Sequence, residues 1–511
     1  MKKGKGIEHR AAKVSLATGL STFLSIVFQL ISVPVCLMFW GKETYGNWLA
    51  LFAAFMLLRS LDTGYVAYVG NKLNSLYHQD KQALRQHLSS AVIGIGLIGA
   101  LQLLLASSTF VFHPMADMLG LGSGVADGFS DKFGLLLLVI SWILTGSYFG
   151  IVHRLLIPAG MMFQAAWWSM LFQTSQFVAI MLASLLSLDM LQTSFLFAIS
   201  QMVIYLSSVI YIKHKLPDYY PWWKNPDFRT GFRDLSQSMM LTISNLIQQG
   251  ATNGIVLLIA LLGGPISVPI FTTIRTLTNL WNTVSNVFTT PLLPDLVRFH
   301  VKNEGEKIIS MIKAHWVLTG AIVNMGVLLI YPLLPFIYGY WTGHNIALNN
   351  GLLATLLSSV VVTNAGSAMA MHLNGINSLR VILVTSVVRG VLGLGCGALF
   401  YDKLGLVSFG LGVLIGELIV LLINLRVFVK VELTKIGAEL SLAAFFPATI
   451  GIVSVMLFLL GDGFGWFLFI WSWPISFLGA IIAIVLGWKG LDSDVKSRLV
   501  GLFLNRFFKI Q

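Results

Sequence analysis

Charged residues are scarce in this sequence. Only 11% of its 511 residues are Asp, Glu, Lys or Arg, against about a quarter in soluble domains. Hydrophobic residues make up 56%, and the mean hydropathy is +0.81. Cysteine is also rare, with Cys36 and Cys396 in separate apolar runs. The composition therefore excludes an ordinary soluble protein, a disulfide framework and a paired-cysteine metal site. It indicates a polytopic membrane protein.

Sequence motifs for catalysis are missing as well. The chain contains no GxxxxGK[ST] phosphate loop and no HExxH zinc motif. No outer loop is long enough to build an acid/base pocket for joining glycans. We therefore predict that the chain is not an enzyme, and that it uses no cofactor and no metal.

Apolar runs of roughly 20 residues, long enough for a helix to cross a bilayer, recur along the chain. Counting them predicts an all-α polytopic membrane protein with about 14 transmembrane helices. The predicted spans are 14–39, 46–69, 88–112, 133–156, 163–186, 193–212, 238–262, 266–290, 314–337, 350–374, 380–400, 406–429, 441–460 and 466–488.

The basic residues follow the alternation that this span count requires. With the N-terminus inside, 27 of the 33 Lys and Arg residues fall in inner segments, and only Lys42, Lys132 and Lys403 fall in outer loops. That bias is the positive-inside rule. The net charge of +12 thus reflects orientation against an anionic inner leaflet, and we expect no nucleic-acid partner.

A charged segment with three prolines, 213–237, follows the sixth span and predicts a division into lobes. Gly41 to Lys72 and Gly264 to Asp295 have the same layout of tight turn, span and charged loop, which suggests a parallel repeat. The predicted parts are an N-terminal lobe at 1–212, a cytoplasmic linker at 213–237, a C-terminal lobe at 238–429, and an extra helix pair with an amphipathic tail at 430–511.

Polar side chains recur at helical spacing on several predicted spans. Small hydroxyl residues on such a stripe suit helix packing, whereas amides and arginine favour a water-filled cavity. The seventh and eighth spans carry the candidates for substrate binding, which are Asn245, Gln248, Gln249, Asn253, Arg275, Asn279, Asn282 and Asn286.

Charged residues inside the spans are the second signal, because they are costly in lipid and usually face a protein interior or cavity. Arg59 and Asp62 lie one turn apart on the second span, either as a pair or as part of a site. Arg275 has no acidic residue on its own span, so we interpret it as an anion contact. Glu417 is an ion-coupling candidate, although pairing with Arg389 on the neighbouring span is the alternative.

One stretch of the sequence resembles a known family. Gly41, the segment "YGNW" at 45–48 and the segment "LDTG" at 61–64 resemble the opening signature of the bacterial polysaccharide transporter family, which includes O-antigen flippases. That family belongs to the multidrug/oligosaccharidyl-lipid/polysaccharide exporter superfamily. "SNLIQQGATNGIVLLIALLGG" and "PLLPDL" in the second half resemble the corresponding family segments.

The resemblance implies a two-lobed transporter of the bacterial cytoplasmic (inner) membrane that works by alternating access, with both termini in the cytoplasm. Its implied cargo is an undecaprenyl-pyrophosphate-linked oligosaccharide, an O-antigen or exopolysaccharide unit. Membrane lipids and other membrane proteins of polysaccharide assembly are the further implied partners.

Many O-antigen flippases have twelve spans, whereas this chain has fourteen predicted spans. The function of a lipid II flippase, which has fourteen, therefore stays an alternative. An ion-coupled small-molecule exporter also stays open, and a membrane-embedded glycan-joining enzyme is a less favoured function. The glycan, the coupling ion and the oligomeric state stay undetermined by the sequence.

Overall fold

The structure is a computed structural model that describes residues 2–77, 79–111, 128–376, 378–433, 440–465, 472–491, 493 and 495–497. Side chains at 2–19, 440–444 and a few single positions are also outside the description, as is most of the predicted amphipathic tail. Every secondary-structure element in the described residues is a helix, which confirms the predicted all-α class. Helices suit a membrane because they satisfy every backbone polar group within one segment.

Fourteen long helices follow one another along the described part of the chain, some of them with a short π or 3₁₀ turn inside. They are α1 Lys2–Phe39, α2 Gly41–Leu76, α3 Lys81–Val111, α4 Phe129–Leu156, α5 Met162–Leu185, α6 Met190–Lys215, α7 Phe228–Gly263, α8 Ser267–Thr289, α9 Gly305–Trp341, α10 Asn350–Gly375, α11 Leu379–Leu404, α12 Val407–Glu432, α13 Leu440–Gly463 and α14 Ser472–Lys489.

Thirteen of these helices are long and apolar enough to cross a membrane, counted over the described residues. The exception among the 14 predicted spans is α8, a helix of 23 residues. Its Thr and Asn residues and Arg275 lower its hydropathy, so α8 resembles a cavity-lining helix more than a lipid-facing one.

The chain divides by its contacts into two compact units. The first unit is Met1–Pro269 with Trp341–Ile346, and the second is Ile270–Tyr340 with Ala347–Gln511. One contact of the short piece Trp341–Ile346 within the first unit is the hydrogen bond from the indole Nε1 of Trp341 to the Leu30 carbonyl at 2.7 Å. This division assigns α7 to the first unit, whereas the predicted lobes assign the seventh span to the C-terminal lobe. The lobe boundaries remain a prediction.

Local sequence explains where several helices begin. Asp189 and Gln192 form a reciprocal capping box at the start of α6, and Asp227 caps α7. Asn349 accepts a hydrogen bond from the Leu352 amide at the start of α10. These side chains replace partners that the first turn of a helix otherwise lacks.

Four π turns interrupt the long helices of the described chain. They lie at Ile143–Ser147 in α4, Gly250–Gly254 in α7, Gly320–Asn324 in α9 and Val429–Leu433 at the end of α12. A π turn inserts one extra residue and rotates the side chains that follow, and such turns are frequent at functional sites. Each of the four turns carries at least one polar residue, among them, in chain order, Ser147, Asn253, Asn324 and Glu432.

Candidate functional site

Asp62 is the most enclosed charged residue of the predicted site. It lies on α2 with a relative exposure of 0%. Its Oδ2 oxygen accepts two hydrogen bonds, one from Trp142 Nε1 at 2.6 Å and one from the Ser147 hydroxyl. Both donors lie on α4, and Ser147 lies in the π turn there. Asp62 therefore connects α2 to α4, and these donors offset part of the cost of burying a carboxylate.

Arg59 contacts the same tryptophan from a different direction. Its guanidinium carbon lies 3.8 Å from the centroid of the Trp142 ring, which is a cation–π arrangement. Among the described side chains, Arg59 and Asp62 do not form an ion pair within 4 Å. Instead of pairing with each other along α2, Arg59 and Asp62 both contact Trp142.

Gly46 and Gly64, two of the three glycines of the family-like signature, are points of close helix packing in the first unit. A Cβ atom on Gly64 would lie 2.3 Å from the backbone nitrogen of Thr242 on α7. A Cβ atom on Gly46 would lie 1.9 Å from the carbonyl oxygen of Pro265. Only glycine permits such approaches. The "YGNW" and "LDTG" segments thus hold α2 against the α7 region, while Asp62 holds α2 against α4.

The amides predicted on α7 also belong to the first unit. Asn253 donates to the side chain of Gln249 at 2.6 Å, and Asn253 lies in the π turn of α7. Gln248 is exposed, while Asn245 and Gln249 are half-buried. These four amides are thus partly or fully exposed along this helix.

The stripe on α8 makes contacts within the second unit. Asn282 accepts from Asn364 on α10, and it donates to Asn279, each at 3.5 Å. Arg275 is half-buried, with its guanidinium carbon 5.4 Å from the Phe271 ring. Asn279 and Asn286 are exposed. The α8 face thus combines a cation with amides that are available to a ligand.

Glu417 and Arg389 form the ion pair that the sequence offered as an alternative. Arg389 Nε donates to Oε1 of Glu417 at 2.6 Å, and Nη2 donates to Oε2 at 3.1 Å. This fork geometry is the strong form of an arginine–carboxylate contact. The Glu417 side chain is 12% exposed and that of Arg389 is 37% exposed. The predicted interhelical pair is confirmed.

A cavity of about 430 Å³ in the second unit contains this pair. Asn286, Arg389 and Glu417 line it together with Asn374 and Asn424. Two predicted site residues, Asn286 and Glu417, are therefore brought to one cavity. Asn374 and Asn424 were missed by the sequence reasoning, although both are amides near the ends of predicted spans.

A second cavity, of about 230 Å³, lies among α9, α10, α13 and α14. Its lining includes Asn324 from the π turn of α9, Lys313, and apolar residues such as Pro447 and Ala480. The sequence predicted the extra helix pair but gave no sign of a cavity beside it, because a cavity depends on packing between distant segments.

The predicted site residues therefore fall into two sets. The first unit holds Arg59, Asp62, Asn245, Gln248, Gln249 and Asn253; the second unit holds Arg275, Asn279, Asn282, Asn286 and Glu417. In the first set, the structure joins Arg59 and Asp62 through Trp142, and Gln249 with Asn253. In the second, it joins Asn279 with Asn282, and Asn286 with Glu417.

The fold and these polar helices define an all-α polytopic membrane protein. A solved structure of the lipid II flippase MurJ in an inward closed conformation superposes with a TM-score of 0.66 at 15% identity, covering 96% of this chain and 99% of that one. An inward-facing multidrug resistance MATE family transporter of the MOP superfamily superposes with a TM-score of 0.60 at 15% identity, covering 82% and 96%.

A MATE structure in complex with MaD3S gives a TM-score of 0.55 at 15% identity, covering 83% of this chain and 96% of that one. The chain thus shares the fold of these flippase and transporter structures. No protein-family model and no curated protein sequence matches the chain.

Proposed function

We propose that this protein is a flippase that moves an undecaprenyl-pyrophosphate-linked oligosaccharide, an O-antigen or exopolysaccharide unit, across the bacterial cytoplasmic membrane by alternating access. The observation that carries the proposal is the superposition on a flippase over 96% of the chain. The "YGNW" and "LDTG" signature favours a polysaccharide cargo over other cargoes of the same fold.

The chemistry of the polar helices supports an anionic, sugar-bearing cargo. A pyrophosphate requires cationic groups, and Arg275 and Arg59 supply guanidinium forks that suit phosphate oxygens. Sugar hydroxyls require amides and hydroxyls, which the stripes on α7 and α8 provide. The cavity with Asn286 adds further amides in the second unit.

Lipid II is the second candidate cargo, and the extent of the superposition favours it. A match that covers 96% of the chain must include most of residues 430–511. The extra helix pair in that segment borders the 230 Å³ cavity, whose apolar lining suits an acyl or prenyl chain. A cationic-drug exporter is disfavoured because the three arginines near the middle of the predicted spans, Arg59, Arg275 and Arg389, outnumber the two acids there, Asp62 and Glu417.

The test is deletion of the gene, complementation with the parent chain, and analysis of lipid-linked intermediates on each face of the membrane. The proposal expects a complete oligosaccharide–pyrophosphate lipid to accumulate on the inner face. Accumulation of lipid II with loss of viability identifies the second candidate. An unfinished glycan would point to an enzyme, and unchanged intermediates would point to an exporter of other cargo.

The same proposal places both termini and the 213–237 segment in the cytoplasm, supported by the bias of Lys and Arg. Lys224 and Lys403 are both exposed lysines and provide a matched pair of labelling positions. In a chain with Cys36 and Cys396 replaced by alanine, Lys403→Cys should react with an impermeant maleimide on intact spheroplasts and Lys224→Cys should not. The reverse pattern would refute this orientation.

A further inference from the structure

Three side chains from distant parts of the sequence meet in the second unit. His300 lies near the end of the short helix Leu293–Val301, His372 lies in the last turn of α10, and Glu432 lies at the end of α12. Oε1 of Glu432 is 2.6 Å from Nδ1 of His300 and 2.8 Å from Nε2 of His372. The cluster therefore joins three segments that are far apart in the chain.

The donor atoms have the composition and spacing of a metal site. Two imidazole nitrogens and one carboxylate oxygen lie within 4.8 Å of one another. Zn²⁺ binds such ligands at about 2.0–2.2 Å in a tetrahedron, which sets neighbouring donor atoms roughly 3.3 Å apart. Metal binding would lengthen the two distances from Glu432 to the histidine nitrogens by about 0.5–0.7 Å and set those two nitrogens, which now lie within 4.8 Å of each other, about 3.3 Å apart.

Burial makes a cation favourable at this place. The Glu432 side chain is 3% exposed and that of His372 is 0% exposed, so the carboxylate has lost most of its hydration. Phe428 packs against the His372 ring with centroids 5.7 Å apart and keeps water from one side. Nδ1 of His372 has no hydrogen-bond partner. Among the described side chains, Glu432 is therefore the hydrogen-bond partner of the His372 ring.

Access and backbone geometry add two further arguments. The His300 side chain is 26% exposed, which leaves a route for an ion and room for a water as fourth ligand. Glu432 lies in the π turn Val429–Leu433, which rotates its carboxylate relative to a regular α-helix. Turns of this kind often mark functional positions.

We propose that His300, His372 and Glu432 bind one Zn²⁺ ion, which ties the short helix after α8 to the ends of α10 and α12. Imidazole and carboxylate ligands suit Zn²⁺ and its neighbours among divalent transition metals, whereas Mg²⁺ and Ca²⁺ prefer all-oxygen sites. None of these three residues is among the proposed cargo-binding residues, and the proposal stands whether or not the chain is a flippase.

The test uses the full-length protein, purified in detergent through a tag without histidine and stripped with a chelator. After equilibration with micromolar Zn²⁺ and desalting, elemental analysis should find about one zinc per chain, and the thermal unfolding midpoint should rise with added Zn²⁺. Co²⁺ in place of Zn²⁺ should give the visible absorption of a tetrahedral nitrogen–oxygen site.

Matched variants separate a metal site from a purely hydrogen-bonded cluster. His300→Asn keeps a side-chain donor for Glu432 but removes a metal ligand, and Glu432→Gln keeps the shape but removes the charge. Both should lose the bound zinc and the thermal shift. His344→Asn changes an exposed histidine at positive φ, a conformation that asparagine tolerates, and should retain both.

Two outcomes would overturn the proposal. One is a parent chain that retains no zinc after equilibration while its thermal midpoint stays constant. The other is a His300→Asn chain that binds zinc as the parent does. If His300→Asn folds poorly, the Glu432→Gln chain and the Co²⁺ spectrum of the parent decide the question.

Discussion

Trp142 donates its indole N–H to Asp62 at 2.6 Å while its ring face lies 3.8 Å from the guanidinium carbon of Arg59. One aromatic side chain on α4 therefore positions an anion and a cation of α2 without bringing them into an ion pair. The arrangement gives each of these two groups a favourable contact inside a predicted span, where an isolated charge would be expensive.

Trp142→Phe should destabilise the protein by about 1.5–3 kcal/mol, the range for a hydrogen bond to a charged group. Phenylalanine keeps a ring face for Arg59 and removes the N–H donor to Asp62. Thermal unfolding in detergent measures the change. Trp167→Phe, at a 45% exposed position of α5, is the control and should be close to neutral. Equal stability of the two variants would contradict the role given to the indole N–H.

Arg59→Ala should destabilise the protein less than Asp62→Ala does. Asp62 keeps its donors Trp142 and Ser147 when Arg59 is removed, so the stability cost should be only about 1–2 kcal/mol, the worth of a cation–π contact. Removing Asp62 leaves two buried donors unsatisfied and should cost more, about 1–3 kcal/mol for each. Membrane protein level and unfolding midpoint would show this order. A larger loss for Arg59→Ala would instead indicate a direct charge pair.

Gly64→Ala should be strongly destabilising, because its Cβ would lie 2.3 Å from the backbone of Thr242 and α2 would have to move away from α7. Gly96→Ala on α3 is the matched control, with no atom within 4 Å of its Cβ. It should be neutral or stabilising by about 0.5–1 kcal/mol. Denaturation of the two purified variants tests the contrast, and similar midpoints would show that the close packing is not limiting.

Arg275→Ala should abolish flipping under the proposed function, since it removes a cation from the α8 stripe. Arg275→Lys should retain partial function because lysine keeps the charge and loses the bidentate fork. Complementation of the deletion strain, with membrane protein levels measured in parallel, separates loss of activity from loss of protein. Full complementation by Arg275→Ala at normal abundance would remove Arg275 from the site.

Arg389→Ala should destabilise the second unit more than the double change Arg389→Ala with Glu417→Ala. The single change leaves a mostly buried carboxylate without its partner, a loss of roughly 3 kcal/mol or less because Arg389 is 37% exposed. The double change removes the stranded charge. A double-mutant cycle on unfolding midpoints gives the coupling free energy between Arg389 and Glu417.

Transport by Glu417→Gln at the parent level would, under the proposed function, exclude Glu417 from ion coupling.

The helices and several of their charged residues were predictable from the sequence for physical reasons. Apolar run length is a local property, so α1 to α14 could be located one at a time. Arg389 and Glu417 lie near mid-depth on consecutive spans, so their pairing also followed from local counting.

Contacts between helices distant in the sequence were not predictable in this way. Trp142 looks like an ordinary apolar residue of α4, and nothing in its neighbourhood indicates that Asp62 lies beside it. His300, His372 and Glu432 meet because of helix register and a π turn at Val429–Leu433, neither of which leaves a periodic signal. The glycines of "YGNW" and "LDTG" were recognised as a signature, whereas their packing role required the three-dimensional structure.

The low hydropathy of α8 has a consequence for biogenesis. A segment with this polar stripe partitions weakly from the translocon into lipid by itself. Its partners within the second unit include Tyr338 on α9, bonded to Thr273 at 2.8 Å, Asn364 on α10, and Phe409 on α12, whose ring packs near Phe271. All three are synthesised after α8. Stable integration of α8 therefore has to wait for later helices, and nascent chains truncated before α10 should leave α8 sensitive to extraction and proteolysis.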